Sequence, residues 1–228
     1  MSMIRTKPTL LSPQSGLDKL LGYYQSGDMV EAEKLAHSIT QQFPNHPFAW
    51  KVLGSVYRQS GRNDQALHAC QQTVQLVPQD PAAHYNLGNA LKDLGRLQDA
   101  QSSYQKAIQL KPDFAEARLA FGIVARELGQ FTTAEASFRE AIALKPDFAE
   151  AHNNLGNTLR ELGKLEEAEQ HCRQAIAINP NAAEVYVNLA LVMQESGKLV
   201  EAEFNYRQAI QLRPDFAEVH NNLGSVLQ

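Results

Sequence analysis

Apolar residues recur along the chain at helical spacing, interrupted at regular intervals by single glycines and prolines. The pattern is clearest from residue 81 onward, where His84, Leu87, Gly88 and Leu91 stand at i, i+3, i+4 and i+7 and form a stripe down one helix face. After Gly95 a second stripe follows, made of Leu97, Ala100, Tyr104, Ala107, Ile108 and Leu110. Gly95 falls where a left-handed C-terminal cap is wanted, and Pro112 stops the second helix. The same double stripe returns every 34 residues, marked by Pro44, Pro78, Pro112, Pro146, Pro180 and Pro214. Gly27, Gly61, Gly95, Gly129, Gly163 and Gly197 keep the period, as do Gly54, Gly88, Gly122, Gly156 and Gly224. Alanine fills a third column from Ala32 through Ala66, Ala100, Ala134 and Ala168 to Ala202.

Six complete repeats are therefore predicted, at 13–46, 47–80, 81–114, 115–148, 149–182 and 183–216, each a helical hairpin. Residues 217–228 begin a seventh and supply only its first helix. Helices of about 14 residues are marginal alone, so each hairpin needs its neighbour and the predicted fold is an all-α stack. Gly88 is expected to face the region of Ala100, holding the two helices close, with Ala190 in that role in the sixth repeat. Residues 1–14 carry Pro8 and Pro13 without a periodic stripe and read as a flexible leader. The first repeat, with Leu20 in the glycine column, reads as a divergent cap. At the other end Val219, Leu223, Val226 and Leu227 form a stripe with no second helix beneath it, an expected surface for self-association.

Composition narrows the function. The 228 residues are 43% hydrophobic and 20% charged with net charge −4, which suits a folded core and offers no basic face for nucleic acid. The longest apolar run, Leu119 to Ala125, is too short for membrane insertion, and Met1 to Gly16 lacks a secretory segment, so a soluble cytoplasmic protein is expected. Cys70 and Cys172 lie three periods apart at one inward position, which predicts two core thiols and no bridge. His84, His152 and His220 share a column with Trp50 and Tyr186 and are expected to pack helices, while His37, His46, His68 and His171 are scattered. No pair has the spacing of a metal site, no glycine-rich phosphate loop appears, and no nucleophile with its base can be nominated. The expectation is no metal, no cofactor and no catalysis in these residues. Glu116, Glu150, Glu184 and Glu218, each three residues after Asp113, Asp147, Asn181 or Asp215, read as capping boxes or as an acidic docking column.

Trp50, Leu53, Gly54, Tyr57, Ala66 and Pro78 reproduce the spacing of the tetratricopeptide repeat, with Cys70 where an aromatic is usual. Residues 13–228 resemble that family, and the resemblance implies a right-handed superhelical solenoid whose first helices line a concave groove. The stripe placed there carries Asn86, Asn154, Asn188 and Asn222 beside Asn89, Asn153, Asn157 and Asn221. Arg58, Lys92, Arg126 and Arg160 follow, next to Asp93, Glu127, Glu161 and Glu195. Amides offer donor and acceptor together and suit an extended peptide backbone. The ladder is similar to that in the repeat arm of O-linked N-acetylglucosamine transferases, although Val52 and Ala120 interrupt it. Ion pairing among the charged columns competes with ligand contact there. A carboxylate clamp like that of chaperone-binding members begins with Lys51 and Asn86, but Glu116, Leu119 and Ala120 do not continue it.

The expected function is a protein-interaction scaffold that binds a protein or extended peptide in the groove. The alternative is a substrate-recruiting arm of a longer glycosyl- or sulfotransferase whose catalytic domain lies beyond Gln228.

Overall fold

A computed structural model describes residues 13–227. Thirteen α-helices follow one another among these residues, with no strand between them. The first six are α1 (Pro13–Ser26), α2 (Met29–Gln42), α3 (Pro47–Gln59), α4 (Asn63–Leu76), α5 (Pro81–Asp93) and α6 (Leu97–Leu110). They form one compact block. A second block begins at Lys111 and holds α7 (Ala115–Glu127), α8 (Phe131–Leu144), α9 (Ala149–Glu161), α10 (Leu165–Ile178), α11 (Ala183–Glu195), α12 (Leu199–Leu212) and α13 (Ala217–Val226). Within each block the odd and even helices pair as hairpins, and each hairpin packs on the next. Residues 1–12 of the expected leader lie outside the described chain, and its last two positions, Pro13 and Gln14, belong to α1.

The turn inside each hairpin is set by backbone chirality. Gly95 has φ +71°, a left-handed conformation that costs a side-chain-bearing residue about 1 kcal/mol or more. That geometry aims the Gly95 N–H at the Lys92 carbonyl and the Arg96 N–H at the Leu91 carbonyl, both at 2.9 Å, which closes α5 in a Schellman motif. Pro47 and Pro81 occupy the first positions of α3 and α5, where a missing N–H breaks no helical bond.

Small residues bring the two helices of a hairpin together, but their partners differ from the sequence expectation. A Cβ added at Gly88 would lie 2.6 Å from the Tyr104 ring, and one at Gly122 would lie 2.6 Å from Phe138. The glycine therefore makes room for the aromatic four residues beyond the expected alanine. Where the chain has cysteine instead, the sulfur fills the same place: the hypothetical Cβ is 2.9 Å from Cys70 Sγ at Gly54 and 2.6 Å from Cys172 Sγ at Gly156. Both thiols are free and buried, as expected.

The capping boxes do not form. Phe114, Phe148, Ala182 and Phe216 are the N-cap residues of α7, α9, α11 and α13, and none of these helices has a side-chain cap. The carboxylates and amide at 113, 147, 181 and 215 sit one residue too early to reach the first-turn N–H groups. Asp80, directly before Pro81, does cap, accepting from Ala82 N–H at 2.9 Å. The C-terminal stripe is also more covered than its sequence suggests: Val219 is fully buried, Leu223 and Val226 pack on the core, and Leu227 alone of the four is exposed.

Candidate binding groove

Helix periodicity puts the amide and charged columns on one side of the odd-numbered helices, and the side chains there are already much engaged. In the first block Arg58 on α3 donates through Nε to Asp93 Oδ2 on α5 at 2.7 Å, and Lys51 lies 3.5 Å from Asp80. Partly exposed pairs of this kind contribute about 0 to 1 kcal/mol, so they orient side chains more than they hold the fold. Asn89 accepts the Tyr104 hydroxyl at 2.8 Å and is thereby tied to its own hairpin. Asn86 and Lys92 are half-buried, and neither has a side-chain hydrogen bond or ion pair among the described residues.

In the second block Arg160 on α9 is held by Glu195 on α11, by Glu161 and by Asn157. Arg126 on α7 is also half-buried and forms no ion pair among the described residues. Burial lowers its guanidinium pKa from the ordinary value, against the opposing pull of Glu127 and Glu161. Asn188 on α11 donates to Asn153 Oδ1 on α9 at 2.8 Å, a direct rung between neighbouring repeats. Asn154 is placed differently from the expectation of a surface amide: it is 9% exposed and donates to the Glu150 carbonyl of its own helix at 2.8 Å. On α13, Asn221 is exposed and Asn222 half-buried, neither with a side-chain hydrogen bond among the described residues.

Between the first turns of α9 and α11 lies a cavity of about 340 Å³. Glu150, Asn153 and Asn154 line it from α9, Glu184 and Val185 from α11, and Asn179 and Ala182 from the junction between α10 and α11. Its origin is legible in three of the other junctions. Lys111 lies 5.1 Å over Phe114, Lys145 4.7 Å over Phe148, and Arg213 4.5 Å over Phe216. At the corresponding places between the fifth and sixth repeats stand Asn179 and Ala182, which are too small to fill that volume. The cation and ring are lost together, and the space they would occupy is left open among amides and carboxylates. Arg213 pairs with Glu184 and, together with the glutamate's own backbone N–H, holds that carboxyl below its ordinary pKa. The cavity is thus acidic and rich in paired donors and acceptors. No motif marks the cavity in the sequence; its signal is the change from the Lys-Pro-Asp-Phe of residues 111–114 and 145–148 to Asn-Pro-Asn-Ala at residues 179–182.

Tetratricopeptide repeat models match residues 81–114, 119–183 and 171–204, and a further TPR repeat model matches 54–95 and 195–228. The chain belongs to the tetratricopeptide repeat family, and no catalytic family is among the matches. No curated protein sequence matches it. Among solved structures, it is similar to a chain of the APC/C hetero-tetramer Cut9–Hcn1, with TM-score 0.81 and 21% identity over 95% of this chain. The chain spans 43% of the length of that structure's chain. PilW, a type IV pilus biogenesis factor, gives TM-score 0.81 at 22% identity, covering 95% of this chain and 98% of PilW. YrrB, described as a TPR protein with an unusual peptide-binding site, gives TM-score 0.66 at 18% identity, covering 82% and 96%. At these identities the likeness is one of fold. Among the described residues no helix is long and apolar enough to cross a membrane, and no three ligand-type side chains cluster to hold a metal.

Proposed function

We propose that the chain is a protein-interaction scaffold that binds an extended peptide segment on the face of its odd-numbered helices, with the cavity between α9 and α11 receiving one side chain of that segment. The cavity carries this reading, because it opens where Asn179 and Ala182 stand in place of the cation–Phe pair of three other junctions. Asn153 and Asn188 then meet the peptide backbone, and the acidic walls favour a polar or cationic side chain. Arg126 on α7 and Lys92 on α5, both half-buried without an ion pair among the described residues, are cations of this face open to a partner's carboxylate or carbonyl. YrrB, which shares the fold, is described as having a peptide-binding site, and that supports the class of ligand.

The test is selection of peptides from a random library on the full chain, followed by affinity measurement against the double variant Asn179→Lys with Ala182→Phe. Restoring the residues of the neighbouring junctions fills the cavity without foreign chemistry. At least tenfold weaker binding by the variant is expected. Equal affinity for parent and variant sets the reading aside.

A further inference from the structure

A second pocket lies in the other block and draws on the even-numbered helices. It has a volume of about 440 Å³ and opens between α2 and α4 over a floor of Leu53 and Ala69. Trp50 and Tyr57 form its aromatic walls, with His68 edge-on to the indole at a centroid distance of 5.8 Å. Both large rings are fixed in advance. The indole N–H of Trp50 donates to the Pro44 carbonyl at 2.8 Å, and the Tyr57 hydroxyl is hydrogen-bonded to His37 Nε2 at 2.6 Å. At the mouth, Asp64 is exposed and forms no ion pair among the described residues.

The internal repeats show that this combination is not demanded by the scaffold. The positions held by Trp50, Asp64 and His68 carry His84, Gln98 and Ser102 in the third repeat and Arg118, Thr132 and Ala136 in the fourth. The fifth has His152, Glu166 and Gln170, and there His171 lies against the His152 ring at a centroid distance of 5.2 Å. The sixth has Tyr186, Val200 and Phe204. Only the second repeat joins a large aromatic wall to a carboxylate at the rim. The second repeat and its neighbour show what such a join accommodates: Arg62 lies 4.6 Å over the Tyr57 ring and makes a two-pronged bond to Glu33 of the first repeat, at 2.7 and 2.6 Å. Glu33 neutralises Arg62, so Asp64 leaves the pocket a net negative charge beside the Trp50 indole.

We propose that this pocket is a second docking site that takes an arginine side chain of a protein partner. The planar guanidinium stacks on Trp50 and its N–H groups face Asp64, in the manner of Arg62, Tyr57 and Glu33. The site is independent of the α9–α11 cavity and does not rest on it.

Trp50 is the single tryptophan of the chain, so its emission reports on the pocket directly. Titration of the full chain with Nα-acetyl-arginine amide is expected to change that emission saturably. Nα-acetyl-citrulline amide, which keeps the shape and loses the charge, should bind about fivefold or more weakly. Asp64→Asn should weaken the arginine probe about threefold or more, with circular dichroism unchanged because Asp64 is exposed in the first turn of α4. Asp64→Glu should restore binding. A linear, non-saturating response, an equal response to citrulline, or an Asp64→Asn variant that binds as tightly as the parent overturns the proposal.

Discussion

Tyr186 donates its hydroxyl to the carbonyl of Pro180, six residues back, at 3.1 Å, and so ties the first helix of the sixth repeat to the end of the fifth. The relation recurs with different donors. Trp50 bonds Pro44, His84 bonds Pro78, Arg118 bonds Pro112, His152 bonds Pro146 and His220 bonds Pro214, all between 2.8 and 3.1 Å. What this column conserves within the chain is an N–H or O–H donor at one distance from the backbone, with side-chain identity secondary.

That relation predicts the ranking of two substitutions. Tyr186→Phe keeps the ring and removes the donor, so it should destabilise by about 0.5 to 1.5 kcal/mol. Tyr186→His supplies the donor used at 84, 152 and 220 and should fall closer to the parent. Chemical-denaturation midpoints at constant slope check both; a phenylalanine variant as stable as the parent would mean that the carbonyl is satisfied by water.

At His152 the same bond fixes a tautomer and has a consequence for pH. A carbonyl only accepts, so Nε2 of His152 carries the hydrogen, and its bare Nδ1 in the neutral ring accepts from Nδ1–H of His171 at 3.0 Å. Burial, and then the proximity of His152 and Arg139, lowers the His171 pKa below its ordinary 6.5, with Glu167 opposing. The folded state therefore favours neutral His171, and the unfolded chain takes up that proton first as the pH falls. The stability due to this group should be complete above about pH 6.5 and decline as the pH drops from there towards the lowered folded value. His171→Ser, the residue at this position in the third and fourth repeats, should flatten the decline between roughly pH 8 and pH 5.5. An unchanged pH profile in the variant would show that other groups dominate.

The period, the hairpins and the left-handed glycines could all be read from residue spacing, because each depends on local backbone geometry that repeats six times. The face of the amides was harder. Asn153 and Asn154 are adjacent in sequence, but neighbouring residues stand about 100° apart around a helix, so one turns to α11 and the other inward to its own carbonyl. The capping boxes failed by one residue for a comparable reason: the three-residue spacing was present, but the helix begins after the phenylalanine, so the carboxylate before it lies outside the cap. Both cavities were invisible as motifs. Each appears only when one repeat is compared with its neighbours and found to carry smaller or differently charged residues.

The buried cysteines should be slow to react. Burial raises the Cys70 thiol pKa to about 11 and that of Cys172 to about 12, with nearby Arg58 and Arg160 offsetting little of it. The nucleophilic thiolate is then scarce at neutral pH, and the sulfur is also covered. Neither thiol of the native chain should be labelled by a maleimide at pH 7 on the time scale of a free thiol, and both should be labelled on unfolding. Fast native-state labelling of one cysteine would reveal local opening of its hairpin.

Gly156 and Cys172 give the most direct test of how the hairpins are closed. An alanine at 156 gains helix propensity of about 1 kcal/mol, but its Cβ would stand 2.6 Å from Cys172 Sγ and 3.2 Å from the Ala168 carbonyl. The sulfur is a side-chain atom and can be removed; the carbonyl belongs to the backbone of α10 and cannot. The sixth repeat shows that a hairpin can carry alanine here, since Ala190 and Tyr206 are both fully buried, but the fifth is packed around glycine. Gly156→Ala should therefore destabilise by about 1 to 3 kcal/mol through overpacking. Adding Cys172→Ala to Gly156→Ala should recover part of that loss, even though Cys172→Ala alone removes buried sulfur from the core. A double-mutant cycle measures the coupling, which should be favourable by about 0.5 kcal/mol or more. If the two effects simply add, the sulfur is not what the glycine makes room for, and the carbonyl contact alone sets the distance between α9 and α10.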